Sequence, residues 1–251
     1  MTRKENENIT KTIDMKNVIN IVIDLETVSL KSDAAIVSIG ATTFIPDAVI
    51  VSDEPVEFGV FDAVIGTDIP ATFEAVVNVM SCITAGLDTD GATCKWWSER
   101  SDEAKASVLA TPVLLSSALE ALSDWIGVLR GKFGAVKIWC QGTDFDIPIL
   151  TNAYRACGLP LPWKYREVRD ARSHFLESVG RFYEVDDDIY DLVPDMPDGE
   201  EWVKHSALSD ARRTAWSVAY ANDLTRRYLE GSPEYRALME LKNAKEVAPA
   251  E

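Results

Sequence analysis

The chain contains few cysteines and histidines and has no long apolar segment, and these absences argue against several classes of protein. Its four cysteines, Cys82, Cys94, Cys140 and Cys157, are widely spaced, and only two histidines could join them at a metal. A structural zinc site or a disulfide framework is therefore not expected, and the pattern predicts reduced thiols in a cytoplasmic protein. No apolar run is long enough to span a bilayer, and the polar first residues do not resemble a secretory signal.

The chain also has far fewer basic than acidic residues, with 25 Lys and Arg against 41 Asp and Glu. Its 251 residues have a formal net charge of −16, and the sequence pI is about 4.6. This charge argues against a protein that holds nucleic acid by bulk electrostatics, although an enzyme acting on nucleic acid remains compatible with it. Much of the excess lies in residues 184–201, EVDDDIYDLVPDMPDGEE, which contain nine acids and no Lys or Arg. We predict that this acidic connector is a solvated loop.

The first half of the chain favours strands followed by helices. Apolar runs predict strands at residues 18–23 and 34–44, joined as a hairpin, with a candidate third strand at 56–64. Residues 70–110 are predicted to be mostly helical, with Ser101 as an N-cap.

The second half alternates helices and strands. Ser116 or Ser117 is expected to cap a helix that Gly131 and Gly134 end. Further elements are predicted in chain order as a strand, a helix, a last strand and a long helix, at residues 135–140, 147–158, 165–172 and 208–229.

This order predicts an α/β fold with a mixed central β-sheet flanked by helices. One domain at residues 15–230 accounts for it. Residues 1–14 are predicted to be a disordered tail, and residues 231–251 the end of a C-terminal helix with a tail.

Two carboxylates, Asp24 and Glu26, follow directly on the most apolar predicted strand. The two-residue period of a strand places both on one face, where like charges repel. A cation between them, or a proton on one of them, would relieve the repulsion. An exposed sheet edge would also accommodate such a pair.

Other acids stand where strands give way to helices. Asp144 and Asp146 follow the strand at 135–140, and His205 and Asp210 open the last helix. Capping or the helix dipole explains any one of these acids alone. The joint order Asp-x-Glu, then Phe-Asp, then His-x-x-x-x-Asp is far more specific than its parts.

These motifs resemble the three exonuclease motifs of the DEDDh superfamily, a ribonuclease-H-like group of 3′-to-5′ exonucleases. Within it, the chain resembles the small bacterial and phage 3′-to-5′ exoribonuclease-like domains over residues 18–220. The segments that carry the resemblance are DLETVSLKSDAAIVSIGATTF, GATCKWWSERSDEAK and VRDARSHF.

The resemblance implies a ribonuclease-H-like fold and a metal-dependent exonuclease that releases nucleoside 5′-monophosphates. His205 would be the general base, and two divalent cations, Mg²⁺ or Mn²⁺, would be held by oxygen ligands. Asp146 is preferred to Asp144 because it follows Phe145 as the second motif requires. The implied ligands are Asp24, Glu26, Asp146 and Asp210.

The implied substrate is a single-stranded RNA or DNA 3′ end, and a homodimer is compatible with the resemblance. Thr27 and Trp97 are candidate substrate contacts. Of the pair Trp96 and Trp97, one is expected in the core, while the other could stack on a base. No residue identifies a sensor of the 2′-hydroxyl, so the sequence does not distinguish RNA from DNA.

Two other functions are weighed against this one. A catalytically silent domain could retain the fold and bind a partner protein through residues 184–201. The retained acids and His205 argue against it. A ribonuclease-H-like endonuclease or integrase is disfavoured by the order of the motifs.

Overall fold

The computed structural model describes residues 18–47, 64, 67–179, 193, 196 and 202–233. The strands are β1 (Val18–Thr27), β2 (Ile36–Phe44), β3 (Thr72–Val76), β4 (Ala135–Cys140) and β5 (Val168–Asp170). The helices are α1 (Val79–Thr84), α2 (Gly91–Ser98), α3 (Asp102–Ser107), α4 (Leu115–Phe133), α5 (Asp146–Ala156), α6 (Ala171–Val179) and α7 (Ala207–Glu230). A short 3₁₀ helix, Tyr165–Glu167, precedes β5.

The five strands form one mixed sheet in the order β3-β2-β1-β4-β5. β1 and β2 form the predicted antiparallel hairpin, and β2 pairs antiparallel with β3. β4 and β5 extend the sheet in parallel on the other side of β1. The predicted mixed sheet flanked by helices is confirmed, and β1 lies at its centre.

Alternation along β1 divides the core between the two faces of the sheet. Ile21 and Ile23 point into the larger core, which includes Leu122 and Ile126 of α4. Val22 points to the opposite face, into a second core formed with α7. Residues 24 and 26 share the parity of Val22, so the sequence pattern directs both acids toward α7.

Several of the predicted elements are corrected. The segment 72–76 was expected to be helical but is strand β3, because Phe73 and Ala75 pack on the core while the backbone pairs with β2. The N-cap of α4 is Leu114 rather than Ser116 or Ser117, which lie within the first turn of the helix. The amide of Leu115 instead donates a hydrogen bond of 2.9 Å to Ser81 Oγ.

The last predicted strand and the end of α4 are also corrected. Within residues 165–172 only Val168–Asp170 forms a strand, between the 3₁₀ helix and the unpredicted helix α6, whose first turn Asp170 caps by accepting a hydrogen bond from the Ser173 amide. Helix α4 continues through Gly131 to Phe133 and ends at Gly134.

Other boundaries agree with the prediction. Ser101 caps α3, and α7 runs from residue 207 to 230 where 208–229 was predicted. The candidate strand at 56–64, apart from Val64, lies outside the described residues, as do the predicted tail 1–14, residues 234–251 of the predicted C-terminal segment and nearly all of the acidic connector 184–201. Among the helices that the structure describes, none has the length and apolar character needed to cross a membrane.

Candidate active site

The site begins with the two acids of β1. Asp24 is paired across the sheet with Gly40 and Glu26 with Ser38, and the register shifts just after Glu26. Glu26 is buried and Asp24 partly buried. Both carboxylates therefore project from the face that α7 covers, as the two-residue period predicted.

Gly40 determines how closely α7 approaches this face. A Cβ built on Gly40 would overlap the backbone of Ala207 and Leu208 in the first turn of α7. The absence of a side chain on β2 thus allows the start of α7, which carries Asp210, to lie against the strand beside Asp24.

Asp210 is held in place through both of its carboxylate oxygens. Trp202 Nε1 donates a hydrogen bond of 2.7 Å to Oδ1, and the backbone amide of His205 donates one of 2.9 Å to Oδ2. These bonds fix the carboxylate and connect it to the segment that carries the candidate base.

His205 has an unusual backbone conformation. With a φ of 68°, it is the one non-glycine residue in the described part of the chain with a positive φ. Such a conformation costs free energy and persists where the surroundings impose it, often at functional sites. Its ring packs edge-on against Trp96, with the ring centroids 4.7 Å apart.

Asp146 reaches the site from the other side of β1. It is the first residue of α5, it is 3% exposed, and the backbone amide of Leu25 on β1 lowers the pKa of its carboxyl against the larger, opposite effect of burial. The loop leading to it is held by Asp170, whose carboxylate accepts hydrogen bonds from Thr143 N and Oγ1 at 2.7 and 3.1 Å.

Electrostatics show that four acids share one site. Burial, and then the charges of Asp146, Asp210 and Glu26, raise the pKa of Asp24 well above its usual value. Burial is also the main cause that raises the pKa of Glu26 to about 8, of Asp146 to about 7 and of Asp210 to about 6. Without a bound metal, ionising all four carboxyl groups at once is therefore unfavourable.

Burial lowers the pKa of His205, the candidate base, whereas it raises the pKa of the acids. Burial, together with the positive charges of Lys204 and Arg100, lowers the pKa of His205 below its usual value. The imidazole is therefore neutral over a wide pH range, the state in which it can accept a proton.

The residues present fit a divalent cation. Ligand atoms of Glu26, His205 and Asp210 all lie within 4.8 Å of one another. Asp24 and Asp146 lie outside that compact group, although their charges couple to it. Buried carboxylates with raised pKa values gain most from a bound cation, and hard oxygen donors suit Mg²⁺ or Mn²⁺.

A cavity of about 350 Å³ opens beside Glu26. Its walls include Thr27, Leu30, Trp96, Trp97 and Phe145. Trp97 is 9% exposed and its Nε1 donates a 2.8 Å hydrogen bond to Thr27 O, so it is the core member of the tryptophan pair. Trp96 is half-buried and presents the more accessible ring.

Some supporting residues were not identified from the sequence. Trp202 lies eight positions before Asp210 in an irregular segment, and no pattern marks it as a hydrogen-bond donor. Gly40 stands in the middle of an apolar strand, where a glycine signals a close backbone approach, and that signal was available. Asp170 supports the loop before α5 and the start of α6, because its carboxylate accepts hydrogen bonds from Thr143 and Ser173.

Comparison with known families agrees with this geometry. Residues 19–222 match the family model described as the 3′-5′ exoribonuclease Rv2179c-like domain. The chain belongs to this family. The Rv2179c-like match spans β1 to α7 and therefore includes all five candidate residues. No curated protein sequence matches the chain.

Two solved structures match the chain at low sequence identity. Cell-death related nuclease 4 (CRN-4) superposes with a TM-score of 0.53 at 13% identity, over 82% of this chain and 64% of that one, just under two thirds of its length. The nuclease domain of 3′hExo, a DEDDh family member bound to rAMP, gives a TM-score of 0.47 at 12% identity. The match covers 80% of this chain and 90% of that one. The likeness to CRN-4 confirms the ribonuclease-H-like fold, and family membership supports a 3′-to-5′ exonuclease function.

Proposed function

We propose that this Rv2179c-like domain is a metal-dependent 3′-to-5′ exonuclease that releases nucleoside 5′-monophosphates from single-stranded 3′ ends. The observation that supports it most is the convergence of four carboxylates, from β1, α5 and α7, in one buried site. Such a site is costly as anions alone, and bound cations compensate that cost.

Each residue has a role in the proposed reaction. Two divalent cations, when bound, stabilise the attacking and leaving oxygens of an in-line phosphoryl displacement. His205 accepts the proton of the attacking water. Trp202 and the His205 amide keep Asp210 aligned. The four ligands are Asp24, Glu26, Asp146 and Asp210.

The cavity beside Glu26 is suited to the terminal nucleoside. Trp96 lines this cavity, and Arg100 lies over its ring at 4.1 Å from the centroid. The part of the ring that faces the cavity would stack on a base, which binds any base without reading its sequence. Trp97 and Thr27 form the wall behind it, and the Thr27 hydroxyl is already bonded to Ser29 O at 2.7 Å. We therefore assign base stacking to Trp96, and a supporting role to Trp97 and Thr27.

RNA and DNA are both retained as substrates, because no side chain at the cavity identifies a sensor of the 2′-hydroxyl. The four free thiols are compatible with action in a reducing cytoplasm. A silent binding domain is disfavoured because such a domain does not require buried acids with raised pKa values.

The test is digestion of matched 5′-labelled single-stranded RNA and DNA with Mn²⁺, Mg²⁺ or EDTA. An exonuclease shortens the labelled strand one nucleotide at a time, needs metal and is stopped by a 3′-terminal block. A blocked strand cut internally would identify an endonuclease. Intact strands under every metal condition would favour the silent domain.

A further inference from the structure

A group of exposed arginines has no part in the chemistry described above. The basic surface consists of Tyr165, Arg166, Arg169 and Arg172, along the 3₁₀ helix, β5 and the first turn of α6. Tyr165 is 79% exposed, Arg166 and Arg172 are exposed, and Arg169 is half-buried.

No ion pair within the described residues involves any of the three arginines. Of the two acids among them, Glu167 pairs with Arg130 at 2.7 Å, and Asp170 accepts hydrogen bonds from Thr143 and Ser173. Arg172 interacts electrostatically with Asp146 of the active site. In a chain with a net charge of −16, a cluster of three arginines without a salt bridge to a described acid indicates an anionic ligand.

Backbone carbonyls hold the arginines in order along the surface. Arg169 Nη1 donates to the carbonyl oxygens of Arg166 and Val168 at 2.9 and 2.7 Å. Arg166 lies over the ring of Tyr165, 5.3 Å from its centroid. These contacts pre-organise the cations and place an aromatic ring at one end.

The other end of the surface reaches the active site. Arg172 Nη2 donates a 3.1 Å hydrogen bond to Gln141 O, and its guanidinium lies against Gly142 in the loop that leads to Asp146. β5 and β1 are separated by one strand in the sheet, so the surface lies roughly 10 Å from the strand that lines the nucleoside cavity.

We propose that the basic surface binds the backbone of the nucleic-acid strand on the 5′ side of its terminal nucleotide. The inference rests on the proposed function. With the terminal nucleoside in the cavity beside Glu26, the scissile phosphate lies at the carboxylates and the strand continues past Asp146 to Arg172. Guanidinium groups bind phosphates by charge-assisted hydrogen bonds, and Tyr165 provides a stacking face.

The test compares a dinucleotide with a 12-nucleotide strand. In the double variant Arg166→Gln/Arg172→Gln, kcat/KM for the long strand should fall about 10- to 30-fold at 0.1 M salt relative to that for the dinucleotide. The slope of log(1/KM) against log salt should become shallower by about 1.4, since two phosphate contacts are lost. Lys132→Gln/Arg155→Gln removes the same charge from other exposed positions and should change neither quantity.

The outcomes separate this proposal from the proposed function. A wild-type protein that hydrolyses neither substrate would contradict the nuclease itself. A different result would overturn only the proposal for the basic surface. The wild type would hydrolyse both substrates, and Arg166→Gln/Arg172→Gln would keep both the wild-type ratio of kcat/KM for the long strand to that for the dinucleotide and the wild-type salt dependence of KM. Arg166→Lys/Arg172→Lys keeps the charge and should recover most of the lost ratio. A Lys variant as poor as the Gln variant, with an unchanged melting temperature, would also overturn the proposal.

Discussion

Gly40 on β2 lies directly against Ala207, the first residue of α7. A side chain at position 40 would overlap the backbone of the helix. Gly40 also pairs with Asp24 across the sheet, while α7 carries Asp210 three residues after Ala207. The absence of a side chain at Gly40 therefore determines how closely Asp24 and Asp210, which come from distant parts of the chain, approach each other.

The first prediction concerns this contact. Gly40→Ala should displace the start of α7, lower the free energy of unfolding by about 1–3 kcal/mol and weaken metal binding. Gly127→Ala is the matched control, because a Cβ there meets open space on an exposed turn of α4. It should stabilise the protein by about 0.5–1 kcal/mol. Urea unfolding measures the free energy of unfolding of both variants, and Mn²⁺ titration measures their metal affinity. Equal changes in the two variants would contradict the close contact between Gly40 and α7.

The second prediction concerns the base. His205→Asn removes the imidazole while Asn still tolerates the left-handed backbone at this position. Turnover should fall about 10²- to 10⁴-fold with metal affinity reduced far less. Because the pKa of His205 is lowered, the wild-type rate should rise with pH at an acid midpoint below about 6.5.

His174→Asn is the control for this experiment. His174 bonds Asn222 at 2.7 Å and packs on Trp139, within the helix layer formed by α6 and α7. This variant should retain the pH profile of turnover. A His205→Asn enzyme that kept both its turnover and its acid limb would remove His205 from the mechanism.

The tryptophan pair gives the third prediction. Trp96→Ala should weaken binding of an oligonucleotide by about 1–3 kcal/mol, measured as KM, because a stacking face is lost. Trp97→Phe should instead lower the free energy of unfolding by about 1–3 kcal/mol, because the Thr27 carbonyl loses its buried donor. The assignment would be wrong if Trp97→Phe changed KM more than Trp96→Ala did.

The sequence was most informative where periodicity alone decides the geometry. Asp24 and Glu26 share a face because strand residues alternate, and Ser101 caps α3 because a hydroxyl satisfies local amides. Tertiary contacts overrode the local pattern elsewhere. The first amide of α4 is satisfied by Ser81 from another helix, and β3 exists because β2 offers a partner.

Within the site, too, some features were predicted from the sequence and others depend on tertiary contacts. The five candidate residues were predicted from the order of the motifs together with the family that they resemble, and the fold brings them to one face of the sheet or its carboxyl edge. The positive φ of His205 and the hydrogen bond from Trp202 depend on how the segment before α7 meets the sheet. Local sequence preferences do not encode such a relationship.

The fourth prediction is that the metal-free protein loses stability as pH rises. In the unfolded chain these carboxyls titrate near 4, whereas in the fold Asp210, Asp146 and Glu26 titrate at about 6, 7 and 8. The folded state thus binds more protons between about pH 4 and 8, and its stability falls across that range. Melting curves in EDTA from pH 5 to 8 test this, and stability that increased with pH would contradict it.

The fifth prediction tests the central claim that these carboxylates hold the catalytic metal. Mn²⁺ at a hundred times its dissociation constant should stabilise the wild-type protein by about 2.7 kcal/mol. For a domain of this size the melting temperature should rise by roughly 5–10 °C. Asp24→Asn relieves the repulsion among the acids, so its metal-free form should be at least as stable as wild type, without nuclease activity.

The deciding measurement is therefore the melting temperature of wild type and Asp24→Asn, each with Mn²⁺ and with EDTA. We expect a rise of roughly 5–10 °C in wild type and the loss of most of that rise in Asp24→Asn. Equal metal-induced shifts in the two proteins would mean that Asp24 is not a ligand, and would contradict the metal site on which the proposed reaction depends.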